Sequence, residues 1–471
     1  MSLDSLALDA YQLTTLVAHA DAGRLAQQVA MSFFFRKLPK PRNYVVYCGL
    51  RSLLEHARSM GFAAEEVEAL LGHPLLGPAF ATRPELVLAL QRIDGFVGEI
   101  DGLPEGTLAF AGPARRTDGA PLLVAGAPLS IYTPLVQVRT DLVRAKLIET
   151  PWLGRINYLS MVASKAARVA WAAAGKPVLE FGQRRTHPRA AVDAAYAAYL
   201  AGGTATSNVA AHLVHGVPLA GTMDHFAVQA AVRPGEPTAL GEAACFADFA
   251  RAFPSAAVLL VDTYDTERGI RQAVAATRGR LTGIRIDSDV TVESVQRARR
   301  LLDELGAGHA KIFVSDGLDE HRVAALRQVA DGFGVGENIT CSPDAATGVG
   351  AVAKLVVNGY GQVTMKLARG SGKATLPGQL QVHRYGDHDL VAREGEAVPA
   401  GGRPLLVPLW RGRGPTAELP TLAASRAEVQ RQIAALPPRL AALEIAAEPW
   451  PLIASDGLVD DLAQRVREAG Y

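Results

Sequence analysis

Residues 257–317 decide the fold. They open with Ala257-Val-Leu-Leu-Val-Asp-Thr-Tyr264, return to the same texture at Thr282-Gly-Ile-Arg-Ile-Asp-Ser288, and return again at Lys311-Ile-Phe-Val-Ser-Asp-Gly317. Each is a short apolar run that ends on an aspartate, as a strand buried on both faces would read. Between them, 266–277 and 291–305 space their apolar residues three and four apart, the signature of amphipathic helices. Strand, helix, strand in this order gives βα units and a parallel sheet.

The same alternation extends outward. Before this stretch lie Val178-Leu-Glu-Phe-Gly182 and Val217-Pro-Leu-Ala-Gly-Thr222; after it lie Asn338-Ile-Thr-Cys341 and Gln362-Val-Thr-Met-Lys366. Helical patterns at 189–200, 239–253 and 318–333 fill most of the gaps. Six or seven such units in a row suggest a barrel, whose active-site residues belong at the carboxyl ends of the strands. Phe181 and Arg184, Thr222 and His225, Asp262, Arg285 and Asp287, and Ser315 and Asp316 all fall there. The boundaries expected are an α/β unit over 1–150, the barrel over 151–380, and a C-terminal segment over 381–471 that packs back on the first unit.

At 471 residues, with 49% hydrophobic and 20% charged side chains, the chain is long enough for two or three packed units and too apolar for disorder. Lys and Arg total 48 against 47 Asp and Glu, so no global field draws a nucleic acid or an anionic membrane, and neither is expected as a partner. Cys48, Cys245 and Cys341 are too few and too widely spaced for a disulfide framework or a zinc site, which fits a reducing, cytoplasmic compartment. Neither a signal-peptide pattern at the N-terminus nor a run of about 18 apolar residues is found. Phe333-Gly-Val-Gly336 is glycine-containing but is not a Walker loop, so any ATP is held by other means.

Taken in order, several motifs resemble those of nicotinate phosphoribosyltransferases. They are Asp9-Ala-Tyr-Gln-Leu-Thr14, Phe34-Phe-Arg-Lys-Leu-Pro39 with Arg42-Asn-Tyr44, Glu149-Thr150 with Asn157, Glu180-Phe-Gly-Gln-Arg-Arg185 and Thr206-Ser-Asn-Val209. Gly221-Thr-Met-Asp-His225, Val261-Asp-Thr-Tyr-Asp-Thr266, Arg285-Ile-Asp-Ser288, Ser315-Asp-Gly317, Phe333-Gly-Val-Gly336 and Lys373-Ala-Thr-Leu-Pro-Gly378 follow. The resemblance implies an irregular TIM-like α/β barrel with an open α/β sandwich built from the N- and C-terminal segments. It implies condensation of nicotinate with phosphoribosyl pyrophosphate to nicotinate mononucleotide, with ATP and Mg²⁺, through a phosphorylated histidine, in a homodimer with composite sites. Nicotinamide use, or a silent relative that only binds a nucleotide or phosphosugar, is the alternative.

Residue chemistry supports these roles independently. Displacing pyrophosphate leaves an oxocarbenium-like ribose, which needs cations for the leaving group and carboxylates near the sugar; Arg184, Arg285, Asp262 and Asp287 are of those types. His225 ends a Gly-Thr turn, and an imidazole with a pKa near 6.5 offers a lone pair to a phosphoryl group. The resemblance pairs Tyr11 from a neighbouring subunit with Phe181 around the pyridine ring. Ser207 stands where nicotinamide-using relatives carry an acidic residue, and its hydroxyl can donate to the nicotinate carboxylate. Thr206, Ser315 and Asp316 are expected to bind substrate as well, with Gly334 and Gly336 admitting backbone amides to the ribose phosphate. The identity of any metal ligands stays open. Two departures from the family stand out: Asp224 and Phe226 flank His225 where Ala and Ser are usual, and Arg285-Ile-Asp-Ser-Asp289 lacks the usual glycine.

Overall fold

The computed structural model describes residues 3–124, 126–341, 344, 349–367 and 374–470. Lys373 of the last motif lies outside them. The chain divides into two compact units, 1–161 with 347–471, and 162–346. The long helix Leu142–Ala172 runs through the first of these boundaries.

The first unit is built on two six-stranded sheets. In one, Gln28–Phe35 lies between Val136–Asp141 and Ala351–Val357, antiparallel to both, and Gly98–Gly102 joins Val136–Asp141 to Val407–Gly412. In the other, Asp389–Arg393 pairs with Leu380–Arg384, and Leu452–Ala454 runs between it and Ala111–Arg116. The C-terminal strands therefore complete sheets begun by the N-terminal ones. Strand Gln28–Phe35 is buried over all but its first residue, and Phe33, Phe34 and Phe35 anchor the core. The Phe34 ring stacks on Tyr132 at 3.8 Å, and Phe33 meets Trp152 at 5.6 Å. The interleaving explains why the barrel ends at 346 and not at 380. Ala351–Val357 is a ladder strand of the first unit, and Val363 adds only a single bridge to Val357.

In the second unit six strands run parallel, in the order Ala205–Thr206, Val178–Glu180, Gly332–Val335, Lys311–Val314, Gly283–Ile286, Val258–Leu260. Helices Pro188–Leu200, Thr238–Ala252, Thr266–Thr277 and Val292–Glu304 follow the expected pattern, with Asp265 and Thr291 capping the last two. The expected strand 217–222 is reduced to one bridge beside Thr206.

The segment Asn338-Ile-Thr-Cys341, expected as a strand, forms most of a one-turn helix, Glu337–Thr340. The strand lies just before it, at Gly332–Val335, and the helix expected over 318–333 covers only Glu320–Leu326. Glycine in a strand marks close approach of a neighbour. A Cβ on Gly332 would sit 2.5 Å from the Phe313 ring, and one on Gly334 2.5 Å from the Phe181 ring. The flat strand is required by the aromatic rings laid across it.

One buried ion cluster ties the end of the long helix to this sheet's helical layer. Glu320 accepts hydrogen bonds from Lys165 and, at 2.9 Å, from Arg168, and all three side chains are almost fully buried. Burial alone would raise the Glu320 pKa, but Lys165 and the two hydrogen bonds outweigh it and hold the carboxyl below its ordinary 4.5. A depressed folded pKa stabilises the protein above the unfolded value, and that contribution disappears as the pH falls through the folded value. Glu320→Gln is therefore expected to cost about 1.5–3 kcal/mol at neutral pH by removing the charged acceptor that Lys165 and Arg168 share, with Lys165 keeping Asp344 at 3.2 Å, measured by urea unfolding. The difference from the unmodified protein should shrink as the pH drops below about 4.5; an equal difference at all pH values would contradict this account.

Candidate active site

A cavity of about 600 Å³ opens at the carboxyl ends of the parallel strands. Its walls come from the turns that follow successive strands, so residues far apart in sequence meet there.

Strand Val178–Glu180 delivers one side. Glu180 points inward and is buried, and the tight turn Gly182–Arg184 begins directly after Phe181. Phe181 and Arg184 line the cavity. The ring of Phe181 lies over Gly334, and its carbonyl oxygen would be 3.1 Å from a Cβ on Gly336. Gly334 and Gly336 thus make room for Phe181 while lining the same cavity. Next to the neighbouring strand Ala205–Thr206, the bend residue Ser207 lines the cavity but Thr206 does not. The Thr206 hydroxyl is used internally, donating to Glu180 at 2.7 Å.

The other side is ionic. Arg285 and Asp287 line the cavity. Arg285 donates from Nη2 to the Met223 carbonyl at 2.9 Å, while its Nε is buried without a partner. Burial lowers the guanidinium pKa, with Arg184 adding to the fall, and Asp287, Asp262 and Asp224 oppose it only in part. Asp287 accepts the Ser315 hydroxyl hydrogen bond. Asp262, expected at the reacting centre, is not on the cavity wall. Its Oδ2 accepts the Asp287 N–H at 2.7 Å and the Ser288 hydroxyl, so it positions the turn that carries Asp287. Two further buried polar atoms have no partner, Oδ1 of Asp262 and the hydroxyl of Thr222.

Ser315 and Asp316 line the cavity from the next strand. Asp316 has φ +106°, a conformation costing a non-glycine residue about 1–3 kcal/mol and found mostly at functional sites. Arg322 holds it by donating to its carbonyl, and Asn338 Nδ2 donates to the Gly317 and Leu318 carbonyls at 3.1 Å. The missing glycine of the 285–289 turn is replaced by a left-handed aspartate, Asp289 at φ +48°. Aspartate tolerates that region better than most side chains.

His225 begins the short helix His225–Ala230. Its Nδ1 lies 3.0 Å from the Thr263 hydroxyl, and its Nε2 lies 3.7 Å from Oδ2 of Asp287. Asp224 does not orient the imidazole; its carboxylate caps the helix, accepting the Ala227 N–H at 2.9 Å. Phe226 is largely exposed.

Tyr11 belongs to the first unit and is half exposed. The Lys146 ammonium lies 5.2 Å from its ring centre, and Gln12 donates to Glu149 at 2.9 Å. Lys354 is nearby: burial lowers its pKa, Glu149 opposes this, and Arg36, Lys366 and Lys146 lower it further. This cationic cluster escaped the sequence reading because its members are scattered from 36 to 366 with no shared spacing. Thr263 and Asn338 were missed because small polar residues in turns carry no distinguishing signal.

Among the described residues no three His, Cys, Asp or Glu side chains form a metal-holding group. Mg²⁺ bound with substrate needs no such group, since it commonly takes one or two carboxylates and completes its shell with phosphates and water. The unpartnered Oδ1 of Asp262 beside Asp287 is such a carboxylate set.

Residues 6–85 match the family model for the nicotinate phosphoribosyltransferase N-terminal domain. Over 99% of this chain and 94% of its own length, nicotinate phosphoribosyltransferase pncB2 of Mycobacterium tuberculosis is 36% identical. The human enzyme named nicotinate phosphoribosyltransferase is 30% identical over 92% of this chain and 91% of its own. The crystal structure of human nicotinic acid phosphoribosyltransferase superposes with a TM-score of 0.79 at 26% identity, covering 97% of this chain and 99% of that one. The mixed α/β two-unit architecture is thus shared over the whole length, and the chain belongs to the nicotinate phosphoribosyltransferase family.

Proposed function

We propose that this chain is a nicotinate phosphoribosyltransferase of NAD salvage that joins nicotinate to phosphoribosyl pyrophosphate, giving nicotinate mononucleotide and pyrophosphate. The observation that carries the reading is the convergence, on one strand-end cavity, of an aromatic ring, a hydroxyl, two arginines and a carboxylate: Phe181, Ser207, Arg184, Arg285 and Asp287. Phe181 offers a flat face to the pyridine ring, and Ser207 donates to its carboxylate. Arg285, with a buried Nε still free to donate, takes a phosphate oxygen, and the Thr222 hydroxyl takes another. Asp287 lies near the sugar carbon that becomes cationic as pyrophosphate leaves. Mg²⁺, held by Asp262 and Asp287 together with the diphosphate, would neutralise the leaving group.

ATP coupling through His225 is part of the same proposal. With Nδ1 engaged by Thr263, Nε2 is the nitrogen available to attack the γ-phosphorus of ATP; the N–P bond forms as the bond to the ADP oxygen breaks. Asp287 beside Nε2 then links this phosphoryl carrier to the phosphosugar end of the site. A homodimer supplies Tyr11 and its neighbouring cations from a second copy. Exposed Val209, Leu213, Val214 and Phe226 supply apolar surface for such an interface. No helix among the described residues is long and apolar enough to cross a membrane. A cytoplasmic location accords with the free state of the three cysteines.

Purified protein assayed with each pyridine base, with and without ATP, tests the reading directly: nicotinate is the base used and ATP stimulates turnover. His225→Ala abolishes the acid-labile, base-stable label left by γ-labelled ATP but keeps slow ATP-independent transfer. A label retained in that variant moves the phosphoryl acceptor elsewhere. Arg285→Ala lowers kcat/KM with and without ATP, by about 2–4 kcal/mol of transition-state stabilisation; a loss confined to the ATP-coupled reaction would reassign that residue. Ser207→Asp brings a like charge to the nicotinate carboxylate, a repulsion of several kcal/mol. It should lower use of nicotinate far more than use of nicotinamide, and equal losses for both bases would refute the assignment.

A further inference from the structure

We propose that Glu180 is a positioning residue for base specificity, whose carboxylate fixes the distance between the Phe181 turn and Ser207. The proposal rests on the nicotinate reading above and concerns a residue that does not itself line the cavity.

Glu180 is only 2% exposed, and both of its carboxylate oxygens are engaged. One accepts the N–H of Gly182, within the turn that presents Phe181 and Arg184. The other accepts the Thr206 hydroxyl hydrogen at 2.7 Å. Thr206 is fully buried, and its hydroxyl oxygen in turn accepts the Asn208 N–H at 3.0 Å. Asn208 caps the next helix through the Ala211 N–H at 3.1 Å. Ser207 therefore sits between two residues whose polar groups trace back to Glu180, and its own N–H donates to the Glu180 carbonyl at 3.1 Å. The turn has no slack on the other side either. A Cβ on Gly182 would lie 2.9 Å from the Glu180 carboxylate and 2.5 Å from Thr340.

A buried carboxylate is an expensive way to join two strand ends, since an apolar pair of similar volume can be as stable. Burial raises its pKa, and the hydrogen bonds from Thr206 and Gly182 offset that rise only in part, so it stays above the ordinary carboxylate value. What the carboxylate supplies that an amide cannot is two acceptors at once. Thr206 already accepts from Asn208, so its proton needs an acceptor, and the Gly182 N–H needs another. Glutamine offers one acceptor and one donor, so one of these groups loses its partner and the two walls of the base site shift against each other.

The test compares Glu180→Gln, Thr206→Val, the double variant and Thr206→Ser with unmodified protein, measuring KM for nicotinate, kcat, the nicotinate-to-nicotinamide preference, and the unfolding midpoint. Glu180→Gln and Thr206→Val should each raise the nicotinate KM about 10-fold or more and narrow the preference by a similar factor. Values of kcat at saturating nicotinate should change far less. The double variant should resemble either single one, because both break the same connection, and Thr206→Ser should restore most of the loss. Should Glu180→Gln not fold, the Thr206 pair carries the test alone. Lowered unfolding midpoints with an unchanged nicotinate KM and preference would overturn the proposal, reducing Glu180 to a packing role. Fully additive effects would overturn it too. Unmodified protein inactive on nicotinate would overturn the functional reading and this proposal together, whereas active protein with unaltered variants overturns this proposal alone.

Discussion

A parallel sheet ends on a row of backbone N–H groups that no further residue of the ladder can satisfy, and buried groups of that kind must find partners. Here carboxylates take them. Asp262 accepts the Asp287 N–H across from the neighbouring strand, Glu180 accepts the Gly182 N–H, and Asp287 in turn accepts the Ser315 hydroxyl while Ser315 N–H donates to Ile286. The contacts step from one strand end to the next, 262 to 287 to 315, so the turns are indexed to each other and not merely to their own strands. A site assembled from separate turns needs that indexing, because errors well under an ångström matter to groups that must meet one small substrate.

The second constraint is steric. Phe313 and Phe181 lie across the strand Gly332–Val335, which can pass beneath them only because Gly332 and Gly334 have no side chains. This is why that strand is illegible in the sequence. Read locally, Gly-Phe-Gly-Val-Gly has the composition of a turn, and the more β-branched Asn338-Ile-Thr-Cys341 after it looks like the better strand. By contrast, 266–277 and 291–305 were legible because cap and period agree within a single segment, and their helices form with Asp265 and Thr291 as caps. The division of the chain into 1–161 with 347–471 and 162–346 has a different origin. The partner of Ala351–Val357 is Gln28–Phe35, at the other end of the chain, and no local pattern reports a pairing at that separation.

In the site, sequence identified the strand ends but not which way each side chain turns there. Arg285, Asp287 and Ser315 were legible because they follow apolar runs whose ends must converge. Thr206 and Asp262 follow such runs equally well, yet both serve the scaffold: Thr206 donates to Glu180, and Asp262 is bound to the backbone of the next turn. The strand ends at Thr206, whose hydroxyl is spent on Glu180, and the chain bends at Ser207, which lines the cavity. Where a strand ends and bends is set by its pairing, here with Val178–Glu180.

The unpartnered polar atoms sharpen the electrostatic picture. Leaving a buried donor unsatisfied costs about 1–3 kcal/mol, more for a charged one, so an Arg285 Nε and a Thr222 hydroxyl without partners are unfavourable in the empty fold. An unmet acceptor, Oδ1 of Asp262, stands behind the same wall. Donors near the cavity and an acceptor behind it leave the cavity wall cationic and the layer behind it anionic. The surrounding turns are held by their own hydrogen bonds, including the strained Asp316 fastened by Arg322, so these atoms cannot relax onto each other. Groups held in this way can meet a bound ligand with little reorganisation of the turns that carry them.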